Sequence, residues 1–149
     1  MKIDNTLLDN LTAQAQASPR LRMNMDLRNS AADTSQRMLN AIEPGSVVPI
    51  HRHRNTSETV VVLRGRAVQY LYDDEGRETG SVLLAPCGAG CHVADAPMVY
   101  ALNIPAGQWH TLRALESGTV ILEMKDGAYE PIGAGDVMDV FKRESLQGK

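Results

Sequence analysis

Leu7, Leu8 and Leu11 recur on one face of a 3.6-residue repeat, between an Asp4 or Thr6 that can cap a helix and a Ser18-Pro19 stop. The pattern predicts one helix from Asp4 to Ala17. Beyond Leu21 the period shortens to two, in short apolar runs separated by Gly, Pro and Asp-rich turns. Strands are expected over Gln36 to Ile42, Val47 to Ile50, Glu58 to Leu63, Arg66 to Tyr72 and Glu78 to Leu84. Three more follow over Val99 to Ile104, Gln108 to Leu115 and Thr119 to Lys125. Asp73-Asp74-Glu75-Gly76 is a strong hairpin turn, and Glu116-Ser117-Gly118 is another. So many short strands at this spacing indicate an antiparallel sandwich or barrel. After Asp126 the chain is polar and poorly periodic, with a short helix expected near Asp136 to Lys142.

At 149 residues the chain fits one domain with a core of its own. Its division is read as an N-terminal helical extension (1–19), a barrel (20–131) and a C-terminal tail (132–149). One Trp, one Phe and four Tyr leave Val, Leu, Ile, Met and Ala to build that core. A net charge of −3 without a basic stripe argues against nucleic acid as a partner. No apolar run approaches the roughly 20 residues of a membrane span. Acids among the first residues do not suit a signal peptide, so a cytoplasmic protein is expected. Cys87 and Cys91 are then reduced thiols. With His92 they are too cramped for one tetrahedral zinc site, so a surface loop is the better reading.

The chemistry concentrates elsewhere. His51 and His53 are one residue apart, so an extended backbone points both imidazoles the same way. Glu58 opens the β-branched run that follows and can turn back toward them. Pro105-Ala106-Gly107-Gln108-Trp109-His110 brings a third imidazole after a turn. Three imidazoles and a carboxylate suit one divalent transition metal with a coordination position left open. Fe, Mn, Zn and Ni all fit such a set. Asn40, Tyr70, Tyr72, Tyr100, Glu123 and Tyr129 are polar groups on or near expected strands. Of these, Tyr70 and Tyr100 join Glu58 as candidates for orienting a substrate or moving a proton. Period two from His110 puts Trp109 on the opposite face, outside the barrel core. Arg20, Arg22, Arg28, Arg37, Arg52, Arg54, Arg64 and Arg66 cluster around the first motif. They read either as capture of an anionic ligand or as a solvated, ion-paired rim.

Gly45, His51, His53, Glu58 and Gly65 resemble the first motif of the cupin family at every spacing, and Pro105, Gly107 and His110 resemble the second. Two positions depart from the second motif: Val99 stands where a Gly is common and Ala114 where an Asn is. Gln36-Arg37-Met38-Leu39-Asn40, Val61-Val62-Leu63-Arg64-Gly65 and Glu123 to Pro131 further resemble the WbuC-type cupins, some of which are encoded among polysaccharide genes. The resemblance implies an all-β double-stranded β-helix (a cupin jelly roll) with a short N-terminal helix. It also implies metal at His51, His53, Glu58 and His110. A small-molecule ligand such as an anionic sugar and a homodimer paired through sheet edges or faces are expected with it. Three functional classes stay open: a metal-dependent isomerase or oxygenase, a metal-dependent binding or sensing module without turnover, and a metal-free sugar-nucleotide epimerase. The intact ligand set argues against the last.

Overall fold

A computed structural model describes residues 1–88 and 99–138. Helix α1 (Asn5–Ala17) starts at Asp4, whose Oδ1 accepts from the Leu7 amide at 3.1 Å, and stops at Ser18. Eight strands follow among the described residues: β1 (Arg22–Asp26), β2 (Ser35–Ile42), β3 (Glu58–Arg64), β4 (Ala67–Tyr72), β5 (Glu78–Leu84), β6 (Ala101–Ile104), β7 (Trp109–Ala114) and β8 (Thr119–Asp126). They form two antiparallel sheets, one ordered β1-β2-β8-β3-β6 and the other β5-β4-β7. This is the expected all-β jelly roll with one N-terminal helix. Among the described residues no helix is long and apolar enough to cross a membrane.

Alternation on each strand of the larger sheet separates two cores. Ile42, Val60, Val62 and Ile121 face inward and meet Leu84, Ile104, Leu112 and Ala114 between the sheets. Leu39, Ala41 and Val120 face the other way, where Leu8, Leu11 and Ala15 of α1 cover them. The helix therefore packs across the outer face of the large sheet. The inner space is left to the site.

Three expectations change. Arg22–Asp26 forms an edge strand that no expected element covered, with Met23 and Met25 turned toward the helix side. Val47 to Ile50 makes no strand: Pro49 cannot donate to a ladder, and only His51 bridges its neighbours there. Asp136 to Lys142 begins not as a helix but as the end of a 3-10 turn (Ala134–Asp136); residues from 139 on lie outside the described set. Asp136 to Met138 docks on the first motif, since the Arg52 amide donates to Asp136 O at 3.0 Å and the Met138 amide to Ile50 O at 2.8 Å. Cys87 is exposed, whereas Cys91 and His92 lie outside the described residues.

Candidate metal centre

Backbone pairing brings the two motifs together before any side chain is considered. The His51 amide donates to His110 O at 3.0 Å, and the His110 amide returns the bond to His51 O at 2.8 Å. The Gly107 amide donates to His53 O at 2.7 Å. Gly107 has φ of +82°, a left-handed turn open to glycine at little cost. His51 and His110 are thus cross-strand neighbours, with ring centroids 4.4 Å apart. Glu58 enters from the far end of the large sheet as the first residue of β3.

One donor atom from each of His51, His53, Glu58 and His110 lies within 4.8 Å of the others. Donors about 2.1 Å from a common ion sit no more than about 4.2 Å apart, so a small side-chain adjustment completes one coordination sphere. Two rings already hold the tautomer a metal needs. His51 Nδ1 donates to Pro49 O and His110 Nδ1 to Gln108 O, both at 2.9 Å, which leaves each Nε2 lone pair free. Among the described residues, His110 Nε2 and Glu58 Oε2 are buried without a hydrogen bond of good geometry. Glu58 Oε2 does approach His53 Nε2 at 2.9 Å, and Oε1 lies 3.8 Å from His110 Nε2. A buried ring nitrogen without a partner, 3.8 Å from a carboxylate oxygen, is what a shared cation would satisfy. The residues fit a divalent metal.

Electrostatics point the same way. Burial, then the neighbouring His51, pushes His110 down to about 3, and burial lowers His51 and His53 as well. All three imidazoles are therefore neutral near pH 7, the form in which an imidazole could ligate a metal. Burial raises the Glu58 carboxyl, and a cation at the cluster would reverse that. His53 differs from its partners: its Nδ1 faces Lys125 Nζ at 3.2 Å instead of a carbonyl. An ammonium there donates to Nδ1, which puts the ring proton on Nε2.

Beside the cluster is a cavity of about 120 Å³. Ile42, Val48, Val60, Leu112 and Ile121 give it apolar walls; Arg22, Asn40, Gln69 and Glu123 are its polar groups beyond the cluster. Glu123 accepts from Asn40 Nδ2 at 3.1 Å and Gln36 Nε2 at 3.4 Å. Burial, then the nearby Glu58, pushes its carboxyl up to about 8.

The structure does not bring Tyr70 or Tyr100 to the cluster. Gln69, 1% exposed, is the inward residue of that part of β4, so Tyr70 faces out, 5.8 Å from the Arg113 guanidinium. Tyr100 is half exposed. Trp109 is outside the inner core as expected, under the Arg52 guanidinium at 4.3 Å and donating to Asp74 Oδ1 at 2.9 Å. Lys125 and Gln69 were missed by sequence reasoning. The signal for Lys125 was its place two residues after Glu123 on one strand face.

A family described as a domain of unknown function (DUF6016) matches residues 3–84, more than half of the chain. No curated protein matches. Among solved structures, the Bacillus subtilis oxalate decarboxylase, a protein with Mn(II) centres, is 17% identical with a TM-score of 0.52. The match covers 80% of this chain and 28% of that one, so the chain spans under a third of the decarboxylase's length. KdgF from Halomonas sp. is 14% identical with a TM-score of 0.52, covering 75% of this chain and 84% of that one. At these identities the likeness speaks for the cupin fold alone. The chain belongs to the DUF6016 family, built here on a cupin jelly roll with a His₃Glu cluster that could hold a metal.

Proposed function

We propose that the chain holds one divalent transition metal at His51, His53, Glu58 and His110 and uses it on a small oxygenated ligand, a sugar or a small acid, in the adjoining cavity. The observation that carries this reading is the convergence of four donors, one of which, His110 Nε2, is buried with no hydrogen-bond partner among the described residues. A bound metal supplies Lewis acidity toward a ligand oxygen. The chain's own residues do the rest. His51 and His110 are held in their liganding tautomer by Pro49 O and Gln108 O. The apolar walls limit the water that shares the cavity.

Glu123 favours proton transfer, as in an isomerase, over a binding module. Its carboxyl lines the cavity, and without metal burial and the nearby Glu58 push it up to about 8, so it is placed to hold a proton beside a ligand. Glu123 takes the proton-holding role for which Tyr70 and Tyr100 were the sequence candidates. A WbuC-like place in polysaccharide metabolism, a cytoplasmic location and a homodimer belong to the same proposal; light scattering tests the dimer directly.

Metal content by mass spectrometry on untagged protein tests the centre, with wild type beside His51→Ala and His110→Ala. Near-stoichiometric metal in wild type, lost in both variants, supports it. A wild type that takes no metal after anaerobic reconstitution overturns it.

A further inference from the structure

Eight arginines surround the first motif, and the structure separates them. Arg28 pairs with Asp26, Arg37 with Asp33, Arg52 with Asp74 and Asp136, Arg54 with Asp136, Arg64 with Asp9 and Arg66 with Glu116. These six are ion-paired rim. Arg20 and Arg22 pair with no carboxylate among the described residues, and of the two only Arg22 lines the cavity.

Arg22 occupies the first position of the edge strand β1, opposite Ile42 and on the same face as Asn40. Its Nη1 donates to Val47 O and, at 3.4 Å, to Ser46 Oγ, which ties it to the segment leading into His51. Nε and Nη2 have no protein acceptor among the described residues. That pair is the edge of a guanidinium that grips a carboxylate with two parallel hydrogen bonds. A half-buried cation with an unused fork costs desolvation that an anionic ligand would offset. Burial accordingly lowers Arg22 from its ordinary value.

We propose that Arg22 is the anion-binding residue of this cavity, taking the carboxylate of a small oxygenated acid whose other oxygens face the His/Glu cluster. The cavity's lining sets the class. At about 120 Å³ it has room for a three- or four-carbon acid beside the cluster. Its five aliphatic walls suit a short carbon chain better than a phosphate dianion. Asn40 and Gln69 add neutral polar groups at the sides. The inference rests on the metal reading of the same site, and it narrows that reading from oxygenated ligands at large to carboxylates.

Isothermal titration of the full chain with pyruvate, malonate, pyruvamide and inorganic phosphate tests it, on metal-loaded and on chelated protein. Pyruvate or malonate is expected to bind the loaded wild type, and pyruvamide, which lacks the charge, to bind at least about tenfold more weakly. Arg22→Gln weakens acid binding by at least about tenfold while metal content by mass spectrometry stays as in wild type. Arg22→Lys keeps the charge without the fork and falls between, and it carries the comparison if the Gln variant does not fold. The proposal is overturned if acids bind Arg22→Gln within about twofold of wild type. It is equally overturned if phosphate binds more tightly than either acid, or if neither acid binds the loaded wild type. A chain that takes no metal overturns the metal reading alone: Arg22-dependent acid binding to that protein still supports the clamp, and its absence removes both.

Discussion

Replacing Glu123 by Gln tests whether this carboxyl is held neutral inside the cavity. Its ordinary value is 4.5, and burial followed by the nearby Glu58 pushes it up to about 8. A raised carboxyl means the folded state keeps a proton that the unfolded chain gives up. The associated stability is therefore fully present below pH 4.5 and is lost as pH rises to about 8. At ~1.36 kcal/mol per unit the full shift corresponds to about 5 kcal/mol. Glu123 is only partly buried because it borders the cavity, and water there solvates its anion, so about 2–3 kcal/mol is the expected change. Gln is neutral throughout and nearly isosteric. Its amide can be met by Gln36, whose own Oε1 is buried without a partner among the described residues and turns toward position 123 by an amide flip. Urea unfolding of chelated wild type and Glu123→Gln at pH 5 and pH 8.5 reads the difference. The variant should gain on wild type by about 2–3 kcal/mol between the two, against a total of roughly 5–15 kcal/mol for an ordinary domain. A difference that does not move with pH would refute the account.

On the acid side the sign reverses. His110 is held down at about 3 against an ordinary 6.5, so its contribution is present above pH 6.5 and drains away as pH falls toward 3. Metal-free wild type should lose about 2–3 kcal/mol relative to His110→Gln between pH 6.5 and 4.5, and parallel urea curves would exclude this. Gly65, at the β3–β4 turn, has φ of +75°, and a Cβ there would lie 2.8 Å from Thr119 Cα. Gly65→Ala should cost about 3 kcal/mol and lower the melting midpoint by roughly 6–12 °C; a shift under 2 °C by calorimetry, on the same principle, contradicts that contact. Lys125→Gln gives His53 Nδ1 a carbonyl acceptor like those of His51 and His110 and removes a cation from beside the centre. Metal should bind about tenfold more tightly, read by competition with a chromophoric chelator, and unchanged or weaker binding would show that Lys125 does not oppose loading.

The cluster was legible in the sequence because its geometry is local. His51 and His53 share a face by alternation, and the turn at Gly107 delivers His110 whatever the rest of the barrel does. The helix was equally legible, with its Asp4 cap and leucine face. What the chain order hides is pairing. Lys125 sits opposite Glu58 only because β8 runs antiparallel to β3 in that register. Arg22 differs from the ion-paired arginines around it through which carboxylates fold within reach of them, and from Arg20 by lining the cavity. The short strand carrying Arg22 does show the polar–apolar alternation Arg22, Met23, Asn24, Met25, Asp26, but five residues at a sheet edge give a weak period-two signal.

The facing of β4 was the hardest to read, and the site itself explains it. Ala67, Gln69 and Leu71 alternate with Val68, Tyr70 and Tyr72, and the second set is the more apolar and aromatic. Hydropathy alone turns that set inward, with Tyr70 toward the His/Glu cluster. Yet β4 pairs with β7, where Leu71 stands opposite His110, Gln69 opposite Leu112 and Ala67 opposite Ala114. His110 has to face inward to reach Glu58, so its cross-strand partners face inward too. Gln69 is buried as a consequence, and its Nε2 is satisfied by Thr111 O at 3.0 Å. The histidine motif thus sets the parity of a strand that carries none of the cluster's residues. Tyr70 and Tyr72 are left on the outer face of the small sheet, and Glu123, Asn40 and Arg22 reach the cavity from the opposite sheet.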